Sequence, residues 1–160
     1  MSAVPKGEPV VTPMTVAELS PVVVIEASAY DFPWTRGNFV DSLAAGYLAR
    51  VLRDASGQVV GYFVAMKGVD EMHLLNLTVD PSEQGKGHAR RLLDELVALC
   101  VAMHADPLWL EVRESNTRAR NLYLRYGFRY IGARKGYYPA LHGKREDAAV
   151  MSLEIANALD

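Results

Sequence analysis

Only one cysteine, Cys100, occurs among the 160 residues, so no disulfide can close within the chain. It falls among Leu93, Leu96, Val97 and Val101, the surroundings of a buried helical thiol. A chain that does without disulfides is expected in a reducing cytoplasm. A surplus of charge is missing too: 17 Lys and Arg face 19 Asp and Glu, a net charge of −2. Direct binding to nucleic acid is therefore not expected, nor is binding to an anionic membrane. No apolar run reaches the length of a membrane-spanning helix. The opening MSAVPKGEPVVTP lacks a continuous apolar core and is not read as a signal peptide. His73, His88, His104 and His142 show no metal-ligand spacing, so no metal is expected. Internal repeats and low-complexity tracts are absent from the sequence.

What is there is an ordinary globular balance, 50% hydrophobic and 22% charged, of a length that suits one domain. Residues 1–11, with Pro5, Gly7 and Pro9, are expected to be a flexible lead-in, residues 12–155 a single domain, and 156–160 a tail. Val10 to Met14 reads as a first strand. Ser20-Pro21 reads as the cap and first position of a helix running to about Tyr30. Phe32-Pro33-Trp34 breaks it, and Thr35 caps a second helix that Gly46 ends. Tyr47–Arg53, Val59–Val69 and Met72–Val79 are β-rich runs, spaced as an antiparallel meander with a turn at Asp54–Gly57. The rhythm then changes. Ala89, Leu92, Leu93, Leu96, Leu99, Cys100 and Met103 recur at helical spacing. Leu108–Val112 reads as a strand, Thr117–Tyr126 as a helix stopped by Gly127, and Phe128–Ala133 and Ala148–Ile155 as two last strands. The expected fold is a mixed α/β (α+β) domain, an antiparallel first half joined to a β-α-β-α-β second half.

The stretch PSEQGKGHARRLLDEL, Pro81–Leu96, sets two glycines and a lysine at a strand-to-helix junction. A helix start leaves backbone N–H groups unpaired and carries partial positive charge, and glycines let an anion approach closely. The junction reads either as a phosphate cradle, with Lys86, Arg90 and Arg91 outside it, or as a plain turn with a solvated basic face. Two phosphate motifs are excluded by spelling. A Walker loop needs Ser or Thr after Gly-Lys, where Gly87 stands, and a dinucleotide fingerprint needs a third glycine where Arg90 stands.

The spelling that does fit is Gln-x-x-Gly-x-Ala, at Gln84, Gly87 and Ala89. It resembles the acetyl-CoA signature of the GNAT superfamily of N-acetyltransferases. The stretch LEVRESNTRARNLYLRYGF, Leu110–Phe128, with Phe32-Pro33-Trp34, Gly136-Tyr137-Tyr138-Pro139 and Arg145-Glu146-Asp147-Ala148, closely resembles the RimI-type ribosomal-protein-alanine N-acetyltransferases. The likeness spans most of Thr12 to Ile155. It implies the GNAT fold, with flanking helices and strands that splay at the acetyl-CoA site between Met72–Val79 and Leu108–Val112. It implies acetyl-CoA as cosubstrate, its diphosphate on the backbone of Gly85, Lys86, Gly87, His88, Ala89 and Arg90 after Gln84, its pantetheine arm along Leu77, Thr78 and Val79, and a further contact at Asn116. The acceptor it implies is the N-terminal alanine of small-subunit ribosomal protein S-eighteen. Glu114 and His88 depart from the family pattern without breaking the binding logic.

The residues have their own chemistry. Acyl transfer to nitrogen needs a neutral amine; an α-amino group, with a pKa near 7.7–8.0, is easier to deprotonate than a lysine near 10.4. A base is still needed at the nitrogen, and an acid helps the thiolate leave. In the strand Leu108–Val112, Trp109, Glu111 and Arg113 share one face and the apolar residues the other. A carboxylate amid apolar neighbours costs free energy unless paired or used. Glu111 is therefore either a base or one half of an ion pair, for example with Arg113. Tyr123, at helical spacing with Ala119, Leu122 and Tyr126, is either core or a proton donor; Asn116 either caps the Thr117 helix or touches CoA. The resemblance favours catalysis by Glu111 as base and Tyr123 as acid, by direct transfer in a ternary complex. Cys100, with an apolar face and no base nearby in sequence, is not expected to form an acyl-enzyme. Phe32–Trp34, Tyr137 and Tyr138 are read as either walls of a peptide groove or loop packing. Two other readings stay open: acetylation of a lysine side chain or small amine, and a CoA-binding sensor without turnover.

Overall fold

The computed structural model describes residues 8–158. Residues 1–7 of the expected lead-in and the last two residues of the expected tail lie outside the described residues. Seven strands follow the order β1-β2-β3-β4-β5-β7-β6 in one sheet, and the chain divides into two compact units, Met1–Ala65 with Asn76–Glu95 and Met66–Leu75 with Leu96–Asp160.

In the first unit, β1 (Val10–Pro13) pairs antiparallel with β2 (Leu48–Arg53), and β2 pairs antiparallel with β3 (Val59–Lys67). The helix α1 (Leu19–Ala29) opens earlier than Ser20-Pro21 predicted. A capping box at Thr15 starts a 3-10 turn over Val16–Glu18 that runs straight into it: the Thr15 hydroxyl accepts from the Ala17 N–H, and the Glu18 carboxylate accepts from the Thr15 N–H. Pro21 then sits in the first helical turn, where its missing N–H leaves no bond unmade. The second helix, α2 (Arg36–Ala44), has the expected Thr35 cap, boxed with Asn38. Leu19, Val22, Phe39, Tyr62, Phe63, Leu92 and Leu93 are fully buried.

One residue here has a role that periodicity does not reveal. A Cβ on Gly61 of β3 would stand 2.9 Å from the Thr78 carbonyl oxygen and 3.2 Å from Leu92 Cδ1. Backbone cannot retreat as a side-chain tip can, so Gly61→Ala is expected to destabilise the protein by about 1–3 kcal/mol through overpacking. Urea denaturation measures this; an unchanged midpoint would show that β4 yields without cost.

The helix α3 (His88–Ala102) buries Leu92, Leu93, Leu96, Val97 and Cys100, the predicted face. In the second unit, β4 (Met72–Val79) runs parallel to β5 (Leu108–Arg113) from Met72↔Leu108 to Leu74↔Leu110. The paired register covers these three positions of each strand. Burial along β5 alternates as read: Leu108, Leu110 and Val112 are buried, and Trp109, Glu111 and Arg113 lie on the more open face. The helix α4 (Thr117–Tyr126) ends at Gly127, whose φ of 125° only glycine adopts readily.

The last two strands are longer than predicted. β6 extends over Arg129–Pro139, well past Ala133, and β7 begins at Arg145 rather than Ala148 and ends at Leu153. They form an antiparallel hairpin whose pairing continues to Pro139↔Arg145, with an irregularity between Arg134 and Tyr138. Gly136 lies in that irregularity at φ 60°; its N–H donates to Asp147 at 2.8 Å, and its carbonyl accepts from Arg145 Nε at 2.9 Å. The chain continues from β7 into a short helix, α5 (Ile155–Ala158).

Candidate active site

The two glycines of the Gln84–Arg90 stretch are there for their backbone. Gly85 and Gly87 both stand at φ 81°, where an L side chain is strained, and a Cβ on either would meet nothing within 4 Å. The space where a side chain would stand is open at both, and such bare backbone suits close approach by an anion. A 3-10 turn, Pro81–Glu83, leads in, capped by the Asp80 carboxylate on the Ser82 N–H at 3.0 Å. Gln84, Lys86 and Arg90 are exposed. Lys86 has a carboxylate neighbour, Glu83, at 3.1 Å, and Arg91 lies 3.9 Å from Glu8.

His88 is a different matter. Its ring is buried, Nε2 lies 3.9 Å from Glu83, and neither ring nitrogen makes a hydrogen bond. The packed ring leaves its backbone N–H, at the helix start, as the polar group available for a ligand.

The first unit also holds a buried polar chain. Glu26, on the apolar face of α1, is 2% exposed. Its Oε1 accepts from the Tyr62 hydroxyl at 2.7 Å and Asn76 Nδ2 at 3.0 Å, and its Oε2 accepts from the Trp34 N–H at 2.9 Å. The Thr78 hydroxyl donates to Asn76 Oδ1 and bonds to the Tyr30 hydroxyl, each at 2.7 Å. Burial, against the lowering bond to Thr78 and with the Glu26 charge, pushes the Tyr30 phenol up to about 12. Burial and then the Glu26 charge push Tyr62 higher still. Phe32-Pro33-Trp34 is thus tied by a backbone bond to a glutamate that sequence reasoning overlooked. Leu77 and Val79, the expected pantetheine strand, are half-buried beside buried Thr78.

In the second unit Glu111 is not paired with Arg113. Arg113 donates to Glu146 at 2.9 Å and stacks over the Tyr138 ring at 4.5 Å, and Glu146 also accepts from the Ser115 N–H at 2.7 Å. The Ser115 side chain above all, then the Ser115 N–H and Arg113, holds the Glu146 carboxyl below the usual carboxylate range. Glu111, its side chain 7% exposed, is held by two other groups: Oε1 is 2.7 Å from His73 Nε2, and Oε2 is 3.0 Å from Arg134 Nε. The His73 ring lies flat on Trp109, centroids 3.7 Å apart at 10°. Arg134 also lies over the rings of Trp109 and Tyr137 at 5.9 and 5.6 Å. Sequence reasoning found Glu111 and its face but neither partner.

Tyr123 is 6% exposed and meets Phe128 edge-on at 5.3 Å, so its packing role is real. Asn116 caps α4, its side-chain oxygen accepting from the Ala119 N–H at 3.1 Å. Cys100 is buried, and burial first, then the nearby Asp106 charge, pushes its thiol up to about 11. So few thiolates exist at neutral pH that it is a poor nucleophile. Among the described residues, no group of three or more His, Cys, Asp or Glu side chains is placed to hold a metal ion. No helix among them is long and apolar enough to cross a membrane.

Comparison with known proteins identifies the family. Residues 19–128 match the model of the acetyltransferase (GNAT) family. The chain is 39% identical to a [ribosomal protein bS18]-alanine N-acetyltransferase from Haemophilus ducreyi over 129 residues, 81% of this chain and 88% of that one. It is 37% identical to the Escherichia coli K12 protein of the same name, over 82% of this chain and 88% of that one. The crystal structure of a ribosomal-protein-alanine N-acetyltransferase from Escherichia coli superposes with a TM-score of 0.84 at 34% identity, covering 92% of this chain and 94% of that one.

Proposed function

Since the chain belongs to the GNAT family of acetyltransferases, we propose that it moves the acetyl group of acetyl-CoA to the N-terminal alanine of ribosomal protein bS18 in the cytoplasm. One observation carries the catalytic reading: a carboxylate, Glu111, is held at both oxygens and is almost out of solvent on the open face of β5. The relatives' names support the acceptor.

The roles divide among the residues as follows. The N–H groups from Gly85 to Arg90 hold the diphosphate, and Leu77–Val79 offer strand backbone to the pantetheine arm. Asn116 adds a contact beyond its capping bond. Glu111 accepts the proton lost by the acceptor amine, directly or through a water. The amine, neutral when it attacks the thioester carbonyl, forms the C–N bond as the C–S bond breaks, and the proton that its nitrogen sheds in becoming an amide is the one Glu111 takes. Tyr123 gives its phenolic proton to the departing sulfur. Transfer is direct, because the one thiol in the chain is buried and held protonated. An α-amino acceptor fits a single carboxylate base better than a lysine does, since about one in ten such amines is already neutral at pH 7.

The test uses two peptides and acetyl-CoA, with the acetyl group located by mass spectrometry. One peptide carries the bS18 N-terminus with alanine first; the other has the same sequence with a blocked N-terminus and free lysines. Acetylation of the first at its α-nitrogen is expected. Preference for the second would move the acceptor to a lysine. Binding of acetyl-CoA without thiol release from either peptide would indicate a sensor.

A further inference from the structure

We propose that His73 is a positioning residue for the carboxylate of Glu111, a role that rests on Glu111 being the base. The fold brings the two together. In the parallel ladder His73 lies opposite Trp109, and Glu111 is the next residue of β5 on the same face. An ionised carboxylate can only accept, so the proton in the 2.7 Å contact belongs to His73 Nε2, which donates to Oε1. On the other side Arg134 Nε stands 3.0 Å from Oε2 as an ion pair.

These two contacts fix the plane of the carboxylate, and they are unequal. The Arg134 side chain is 50% exposed on β6, a long chain that water competes for. The His73 side chain is 13% exposed, and its ring is clamped flat against Trp109. His73 is therefore the stiffer hold. A carboxylate has about four lone-pair sites; the His73 bond uses one on Oε1, while Arg134 faces Oε2 as an ion pair. The sites left open are aimed by His73, and they are where the amine proton lands. The charged and ring groups around His73 are Glu111 and Trp109 from β5 and Arg134 from β6, which also lies over Tyr137.

The test separates the ring from its N–H. His73→Phe keeps a flat ring on Trp109 and loses the donor; His73→Gln keeps a donor and loses the ring. Misaiming a catalytic group costs up to about 10²-fold, so kcat of His73→Phe is expected to fall about 10–100-fold. The KM for acetyl-CoA should stay within about two-fold, and His73→Gln should recover kcat to within about five-fold of the parent. In a Glu111→Gln background, His73→Phe should change kcat by less than about two-fold, because there is no base left to aim. Wild-type kcat in His73→Phe, or a full further drop in the Glu111→Gln background, overturns the proposal. The two readings fail differently. An active Glu111→Gln with an inactive His73→Phe removes the base itself, and this proposal with it. An inactive Glu111→Gln with a normal His73→Phe removes only the role of His73. If His73→Phe melts early, His73→Leu, also without a donor, takes its place in the same two backgrounds.

Discussion

Glu111→Gln is expected to lower kcat by about 10²–10⁴-fold, the range that a positioned general base contributes. In barrier terms this is about 3–5 kcal/mol. The dissociation constant of acetyl-CoA should stay within about two-fold, because the proposed grip lies on the Gly85–Arg90 backbone and not on this side chain. The amide is nearly isosteric but chemically wrong in two ways. It cannot take a proton, and whichever way it turns, its NH2 group faces a donor, either His73 Nε2 or Arg134 Nε. The deficit should shrink as pH rises above about 8, since the α-amine then deprotonates unaided. Single-turnover rates across pH, with acetyl-CoA affinity measured by calorimetry, check both halves. Tyr123→Phe should also lower turnover strongly with the cofactor affinity kept. Near-normal turnover in both variants would sink the acid–base scheme.

The second large effect is on stability. Glu26→Ala is expected to cost about 3–5 kcal/mol, the range for stripping a buried charged group from its partners. Three donors lose their acceptor at once: the Tyr62 hydroxyl, Asn76 Nδ2 and the Trp34 N–H. Each buried donor left unmade costs about 1–3 kcal/mol, with relief wherever water enters. For a chain of this length that corresponds to a melting point lower by roughly 10–15 °C. Glu26→Gln should fall between, because it keeps an oxygen for two donors and turns an NH2 toward the third. Thermal denaturation followed by circular dichroism decides the matter; an Ala variant melting within a few degrees of the parent would refute the account. Because the Trp34 N–H is one of the three, Phe32–Trp34 should lose its order before the rest of the first unit does.

How much of this could be read beforehand differs by element. β4 is a β-rich run and α4 carries a strong period-3.6 pattern, and their predicted bounds, Met72–Val79 and Thr117–Tyr126, match the structure. The start of α1 was misread because Ser20-Pro21 is a good local signal, while the true box at Thr15 lies one 3-10 turn upstream. β6 was cut short for another reason. Almost every residue in it is exposed, so no alternation marks it, and Gly132, Gly136 and Pro139 look like breakers. Its length comes from pairing with β7, a tertiary effect. The site shows the same division. The glycines of the cradle and the polar face of β5 are local features and were legible. The partners of Glu111 are 38 and 23 residues away in sequence, and no local rule links them. Glu26 was hidden by its apolar neighbours, and only its three donors explain its presence there.

Cys100 has a practical consequence. Wherever a cysteine is introduced on the surface, for example at Val69, which is 89% exposed, it becomes the only thiol that maleimide dyes reach quickly at neutral pH, since the resident one is buried and stays protonated until about pH 11. Single-site labelling of this enzyme therefore needs one added residue and no cysteine-free background.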